Sequence, residues 1–179
     1  MNFKPFLFAV TTLSCLSAPV AAVDLFSALD EMFGLSKQST VSDLNRDYDH
    51  PGTPMSVPVD VPVGSNVFKK YEVYTPKGKD NVCGVIADFD DSSLKAYDRF
   101  KMALSLDFGG KGKDMPTDQR SRGNVKATID KVVWDGAIDD ALVDEVVLIR
   151  SVVNINGSRS ATNAIAIQFS DFRACMMLD

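Results

Sequence analysis

The chain has 179 residues, 45% of them hydrophobic and 24% charged, with a formal net charge of −5. An acidic balance of this kind argues against non-specific nucleic-acid binding, which depends on neutralising phosphates with Lys and Arg. Only Glu31, Glu72 and Glu145 are glutamates and every other carboxylate is an aspartate, a residue that favours turns and caps over helix interiors, so the composition is that of a loop-rich β protein.

Residues 1–22 read as a secretory signal peptide: Lys4, then an apolar stretch from Phe6 to Leu16, then Val20, Ala21 and Ala22 before the expected cut. The stretch is too short to span a bilayer permanently, and no later segment approaches the roughly 20 apolar residues a transmembrane helix needs. Thr12-Leu13-Ser14-Cys15 has some look of a lipoprotein cleavage site, with the leucine one place too near the cysteine. The expectation is a periplasmic or secreted protein whose mature chain has no transmembrane segment. Two cysteines then remain, Cys83 and Cys175. In an oxidising compartment they predict a disulfide, which closes a loop of about 90 residues and contributes on the order of 4 kcal/mol in the chain-entropy model.

Residues 23–35 place Leu25, Phe26, Leu29, Met32 and Phe33 at helical spacing behind Asp24 as N-cap, predicting a short amphipathic helix that packs on the sheet or docks a partner. Residues 36–54 turn polar and read as a linker. Within them Asp43, Asn45, Asp47 and Asp49 set oxygen ligands on alternate residues, as short calcium loops begin. Tyr48 and Pro54 stand where an EF-hand loop has glycine and glutamate. Calcium on these four residues is the one cofactor the bare spacing admits. His50 is the only histidine, so zinc sites with two or more histidines are excluded.

Residues 55–179 carry the strand signals. Val57, Val59, Val61 and Val63 alternate with residues that include Pro58 and Pro62, which remove backbone donors and place the segment at a sheet edge. Asn66 to Tyr74 and Val82 to Phe89 predict two strands around a Pro76-Lys77-Gly78-Lys79-Asp80 turn. Phe100, Met102, Leu104, Leu106 and Phe108 alternate with Lys101, Ala103, Ser105 and Asp107, predicting a strand from about Arg99, with a helical turn capped by Ser92 or Ser93 before it. Gly109 to Gly123 reads as a loop. Val125, Ala127, Ile129 and Val133 predict a half-buried strand, and Asp135 to Asp144 a turn with a short helical piece.

The strongest structural signal runs from Asp144 to Phe169. Two β-branched apolar runs, separated by Asn156-Gly157 and a small polar loop, predict a hairpin, because Asn-Gly supplies the positive φ a tight turn needs. Both runs are apolar on consecutive residues, as in strands covered on two faces. The tally is about seven strands. The predicted fold is mainly β, an antiparallel sandwich of immunoglobulin-like or jelly-roll shape with a short N-terminal helix.

Val85-Ile86-Ala87-Asp88-Phe89-Asp90-Asp91-Ser92-Ser93-Leu94 resembles the first motif of the haloacid dehalogenase superfamily, a strand ending in Asp-x-Asp. The resemblance covers these ten residues and implies a phosphohydrolase with Asp88 as nucleophile, Asp90 as acid/base and magnesium as counter-charge. Asp91 and Ser92 depart from the family pattern, and its second acidic pair would have to be Asp139-Asp140. The family also needs helices between parallel strands, which the intervening sequence does not predict. Lys111, Lys113, Arg120, Arg122 and Lys126 form a local basic group in an acidic chain, suited to an acidic partner or to solvent. With no complete catalytic set, the sequence predicts a non-enzymatic exported domain that binds another exported or envelope protein as an accessory subunit, inhibitor or immunity-type protein. The competing expectations are the metal-dependent phosphohydrolase and a calcium-binding exported domain.

Overall fold

A computed structural model describes residues 29, 31–45, 47, 56–136 and 142–177. The expected signal peptide, Cys15, Asp49, His50 and Asp139-Asp140 lie outside the described residues. After a 3-10 turn at Met32–Gly34 and a helical turn α1 at Val41–Leu44 come β1 (Ser56–Pro58), β2 (Phe68–Tyr74), β3 (Gly84–Phe89) and the helix α2 (Leu94–Asp107). Strands β4 (Lys113–Asp114), β5 (Asp118–Arg122), β6 (Val125–Asp135), β7 (Val143–Ile155) and β8 (Ser158–Phe169) follow, then a closing turn α3 (Phe172–Cys175).

The chain is mainly β, as expected. The strands form one eight-stranded sheet in the order β1-β2-β3-β8-β7-β6-β4, with β5 also on β6; every pairing is antiparallel. The sheet curls into a half-barrel. Among the described residues there is no second sheet facing it, so the architecture differs from the predicted sandwich. The second layer is instead helix and irregular chain on one face.

That face is built from two rows across the four central strands: Val85, Ile167, Val146 and Trp134, then Ala87, Ile165, Leu148 and Val132. All eight are buried and share one core with Phe33, Leu35 and Val41 of the N-terminal segment and with Tyr97 and Leu104 of α2. Phe89 stacks on Phe100 at 3.8 Å, and Phe33 meets Phe68 and Tyr71 edge-on at 5.4 and 5.3 Å. The described part of 36–54 belongs to this packing: Val41 is fully buried, and Thr40 bridges Asn81.

Residues 94–107 are helix, which corrects the predicted strand. Ser93 caps it, its Oγ accepting from the Ala96 N–H at 3.0 Å. Tyr97, Phe100, Leu104 and Phe108 recur every three or four residues along the covered side, whereas Met102 and Leu106, two of the five residues in the apparent alternation, are 64% and 78% exposed. Gly109 to Gly123, predicted as a loop, contains β4 and β5 because both extend the edge of β6. The hairpin turn is only Asn156-Gly157, with φ of 52° and 86°, and the polar residues 158–163 continue β8. The edge placement of the proline-bearing segment holds for β1, where Val57 is buried and Pro58 is exposed on the outermost strand. Cys83 and Cys175 stand at disulfide distance, 2.01 Å between sulfurs, joining β3's approach to α3.

A third row crosses the covered face below the apolar two: Asn163, Arg150 and Asp130. Asn163 is fully buried and Arg150 nearly so. Arg150 Nη1 donates to the Ser92 carbonyl at 2.9 Å and to Asn163 Oδ1 at 2.7 Å, while Asn163 Nδ2 donates to the Asp91 and Ser93 carbonyls at 3.0 and 2.8 Å. The pair pins the loop that starts α2.

Candidate interaction face

Among the described residues the only helical element against the opposite face of the sheet is the short turn α3, whose Phe172 meets Tyr74. Side chains alternate across a strand, so this face takes Tyr74 from β2, Ile86 and Asp88 from β3, Ala164, Ala166 and Gln168 from β8, Val147 and Ile149 from β7, and Lys131 and Val133 from β6. Tyr74 and, from beyond β6, Met115, Pro116 and Asp118 line one cleft of about 400 Å³. On a flat sheet β2 and β5 would stand roughly 24 Å apart, five strand spacings, so the curl draws the two sides together around this face. It also explains why Ala166 and Val147 are 1% and 4% exposed without a covering layer. The apolar consecutive residues of β7 and β8 therefore reflect curvature on one side and helix on the other.

The cleft is apolar along its floor and ionised along its rim. Lys113 and Lys131 stand with Asp118, Asp135 and Glu145. Burial pushes the Glu145 carboxyl above its ordinary range, the Asp135 and Asp144 carboxylates add to the effect, and Arg173 and Lys131 oppose it. Tyr74 is likewise raised, first by burial and then by Glu72. Beside this end Phe172 of α3 packs edge-on to Tyr74 at 5.2 Å.

At the other end the strands β5 to β8 run on past the Asp130-Arg150-Asn163 row as a four-stranded tongue ending in the turns at Gly123-Asn124 and Asn156-Gly157. No described element covers either of its faces. On the cleft side it presents Ile129, Ala127 and Val125 from β6 and Val153 and Ile155 from β7, with Val125 and Ile155 38% and 48% exposed. Arg120 and Arg122 edge this strip from β5. The reverse side is polar, with Ser121, Lys126, Asn154 and Arg159 in one row. The tongue holds Arg120, Arg122, Lys126 and Arg159 against only Asp118, in a chain whose net charge is −5.

The structure therefore divides the predicted basic group. Lys113 lines the cleft. Arg120 pairs with Asp118 at 2.7 Å, while Arg122 and Lys126 stand exposed near the hairpin tip and Lys111 lies apart, beside Phe108 and Trp134. Sequence reading missed the tongue because Ser158 to Asn163 look like loop; the signal that finds it is the near-equal length of the runs flanking Asn156-Gly157, 13 residues in β7 and 12 in β8.

Asp88 lies half-buried on β3, between Lys70 and Ala164 of the neighbouring strands. Burial raises its pKa, Lys69 and Lys70 lower it and Glu72 raises it. Asp90 follows the strand and is exposed, and Asp91 accepts from the Ser93 N–H at 2.9 Å. The strands around them are antiparallel, where the haloacid dehalogenase resemblance implies a parallel sheet. Of the calcium-type residues, Asp43 bonds Thr40, and Asn45 donates to the Pro58 carbonyl at 2.9 Å and accepts from the Asp47 N–H at 3.1 Å. Among the described residues no group of three or more His, Cys, Asp or Glu side chains is placed to hold a metal ion. Comparison with protein-family models, curated proteins and solved structures finds no match to the chain.

Proposed function

We propose that this chain is a non-enzymatic, exported binding domain, an accessory or inhibitor-type subunit, that takes a protein partner on the open face of its sheet. The observation that carries the reading is the apolar strip that runs uncovered from the cleft through Ile129 and Val153 to Val125 and Ile155, bordered by Arg120 and Arg122. A contiguous apolar surface with a polar rim marks an interaction site rather than ordinary surface. The complement of this strip is an aliphatic segment carrying carboxylates. Docking across a sheet face uses side chains and leaves the sheet's own hydrogen bonds intact. The disulfide supports a periplasmic or secreted setting.

Ile155→Lys and Val153→Lys test the reading. Both are expected to abolish retention of a partner from an envelope extract, whereas Asn154→Lys, on the reverse side of the same strand, retains it. Equal retention by all three variants refutes the assignment of the face. The competing phosphohydrolase reading rests on the resemblance of Val85 to Leu94 to an Asp-x-Asp motif, with Asp88 and Asp90 at the end of β3; it requires magnesium-dependent phosphoester cleavage that Asp88→Asn removes.

A further inference from the structure

We infer that the chain self-associates through the free edge of β5, joining two sheets into one. In the described residues β5 pairs only with β6, so its outer backbone donors and acceptors have no strand beside them. Such an edge accepts another strand unless its side chains forbid it. Charged side chains on an edge normally exclude partners, and they admit one whose charges run in the complementary order.

The sequence of β5 is Asp118-Gln119-Arg120-Ser121-Arg122. Laid antiparallel on a second copy and centred on Arg120, it sets Asp118 opposite Arg122 at both ends. Gln119 then faces Ser121, a hydrogen-bonding pair, twice. Arg120 faces its own counterpart, and in each copy its charge is already balanced by Asp118, with Nε and Nη2 at 2.8 and 2.7 Å from the carboxylate. Arg122 has no ion pair in the described residues, so the association supplies one. Shifting the register by one residue turns the charged row onto the opposite sheet face. Shifting it two residues toward the turn sets Arg120 against Arg122. The centred register alone uses the whole strand and pairs both ends.

The two-fold axis of such a pairing stands perpendicular to the sheet, so both open faces lie on the same side. Each apolar strip then flanks the junction, with Arg122 of one copy beside Asp118 of the other between them. This inference concerns the strand edge, and it holds or fails independently of what docks on the face.

Sedimentation velocity of the purified protein over a concentration series tests it. The wild type is expected to show a reversible dimer that weakens with added salt. Arg122→Asp and Asp118→Arg, each of which creates two like-charge cross-strand pairs, should each weaken the dimer about tenfold or more. The combined variant D118R/R122D restores the opposite-charge pattern and should recover it. Arg120→Cys should cross-link to itself under mild oxidation, whereas Gln119→Cys, which faces Ser121, should not. Far-ultraviolet circular dichroism checks that each variant is folded. A wild type that stays monomeric throughout, single variants that associate as well as the wild type, or a combined variant that fails to recover would each overturn the inference.

Discussion

Replacing Asn163 by leucine keeps the branching and heavy-atom count of the side chain and removes three hydrogen bonds at once. The bond from Arg150 Nη1, 2.7 Å long and buried, involves a charged donor and is worth about 2 kcal/mol. The bonds to the Asp91 and Ser93 carbonyls are part-buried, and the Ser93 oxygen also accepts from the Tyr97 N–H at 3.1 Å. These two together add about 1 kcal/mol. The expected loss is about 3 kcal/mol, measured as the shift in a urea midpoint at unchanged slope. Arg150→Met should cost a similar amount, because it leaves Asn163 Oδ1 and the Ser92 carbonyl short of a donor. In the double variant the two losses should fall short of adding, by about 1 kcal/mol or more. A loss below about 1 kcal/mol for Asn163→Leu, or simple additivity, would show that the row does not hold the start of α2 as described.

Breaking the Cys83–Cys175 link with Cys175→Ser should cost up to about 4–5 kcal/mol for its sequence separation of 92, read from denaturation with and without a dithiol. Glu145→Gln should stabilise the protein at neutral pH. The folded state raises this carboxyl's pKa above the ordinary 4.5 and so favours its neutral form; the wild type's advantage is full below the ordinary glutamate range and is lost as pH rises through the folded value, so the gap between variant and wild type should close in acid. Gly84→Ala should be strongly destabilising in thermal melts, since a Cβ there would lie 2.5 Å from the Ile167 carbonyl oxygen and force β3 away from β8. In an ultraviolet titration Tyr97 should ionise only at about 12, held back first by burial and then by Asp130, Asp114 and Asp98; Tyr97→Phe should remove that late step.

The strands that are largely apolar on both faces, β7 and the inner half of β8, are legible from composition and from Asn156-Gly157 alone. The helix α2 is not, because Phe100, Met102, Leu104, Leu106 and Phe108 satisfy a two-residue period as well as a helical one, and burial chose Phe100, Leu104 and Phe108. The cap at Ser93 was the better guide, since a cap reports local backbone geometry whereas an alternation reports only where apolar residues lie. The half-barrel escaped for a different reason. Consecutive burial in Val146, Val147 and Leu148 is the same whether a second sheet or the sheet's own curl excludes water, so a sandwich and a curled sheet leave one pattern. The open face inherits that ambiguity: its residues alternate along five strands far apart in sequence, and no local motif gathers them.

The pairing of β3 with β8 has a consequence for how the chain comes to its shape. Synthesis delivers β2 and β3 early, yet the neighbour that completes β3 is the last strand made, some eighty residues later. Until it arrives, Val85, Ala87 and Phe89 face water beside an unsatisfied row of backbone groups, and the protein must be kept from premature association during that interval. Closure of such a distant contact carries more loop entropy than a local one and is slower for it. Cys83 precedes β3 and Cys175 follows β8, so their bond is a latch drawn across this seam of the finished sheet. A chain cut short before Ala164 would thus forfeit the seam between its early and late halves, and with it the latch.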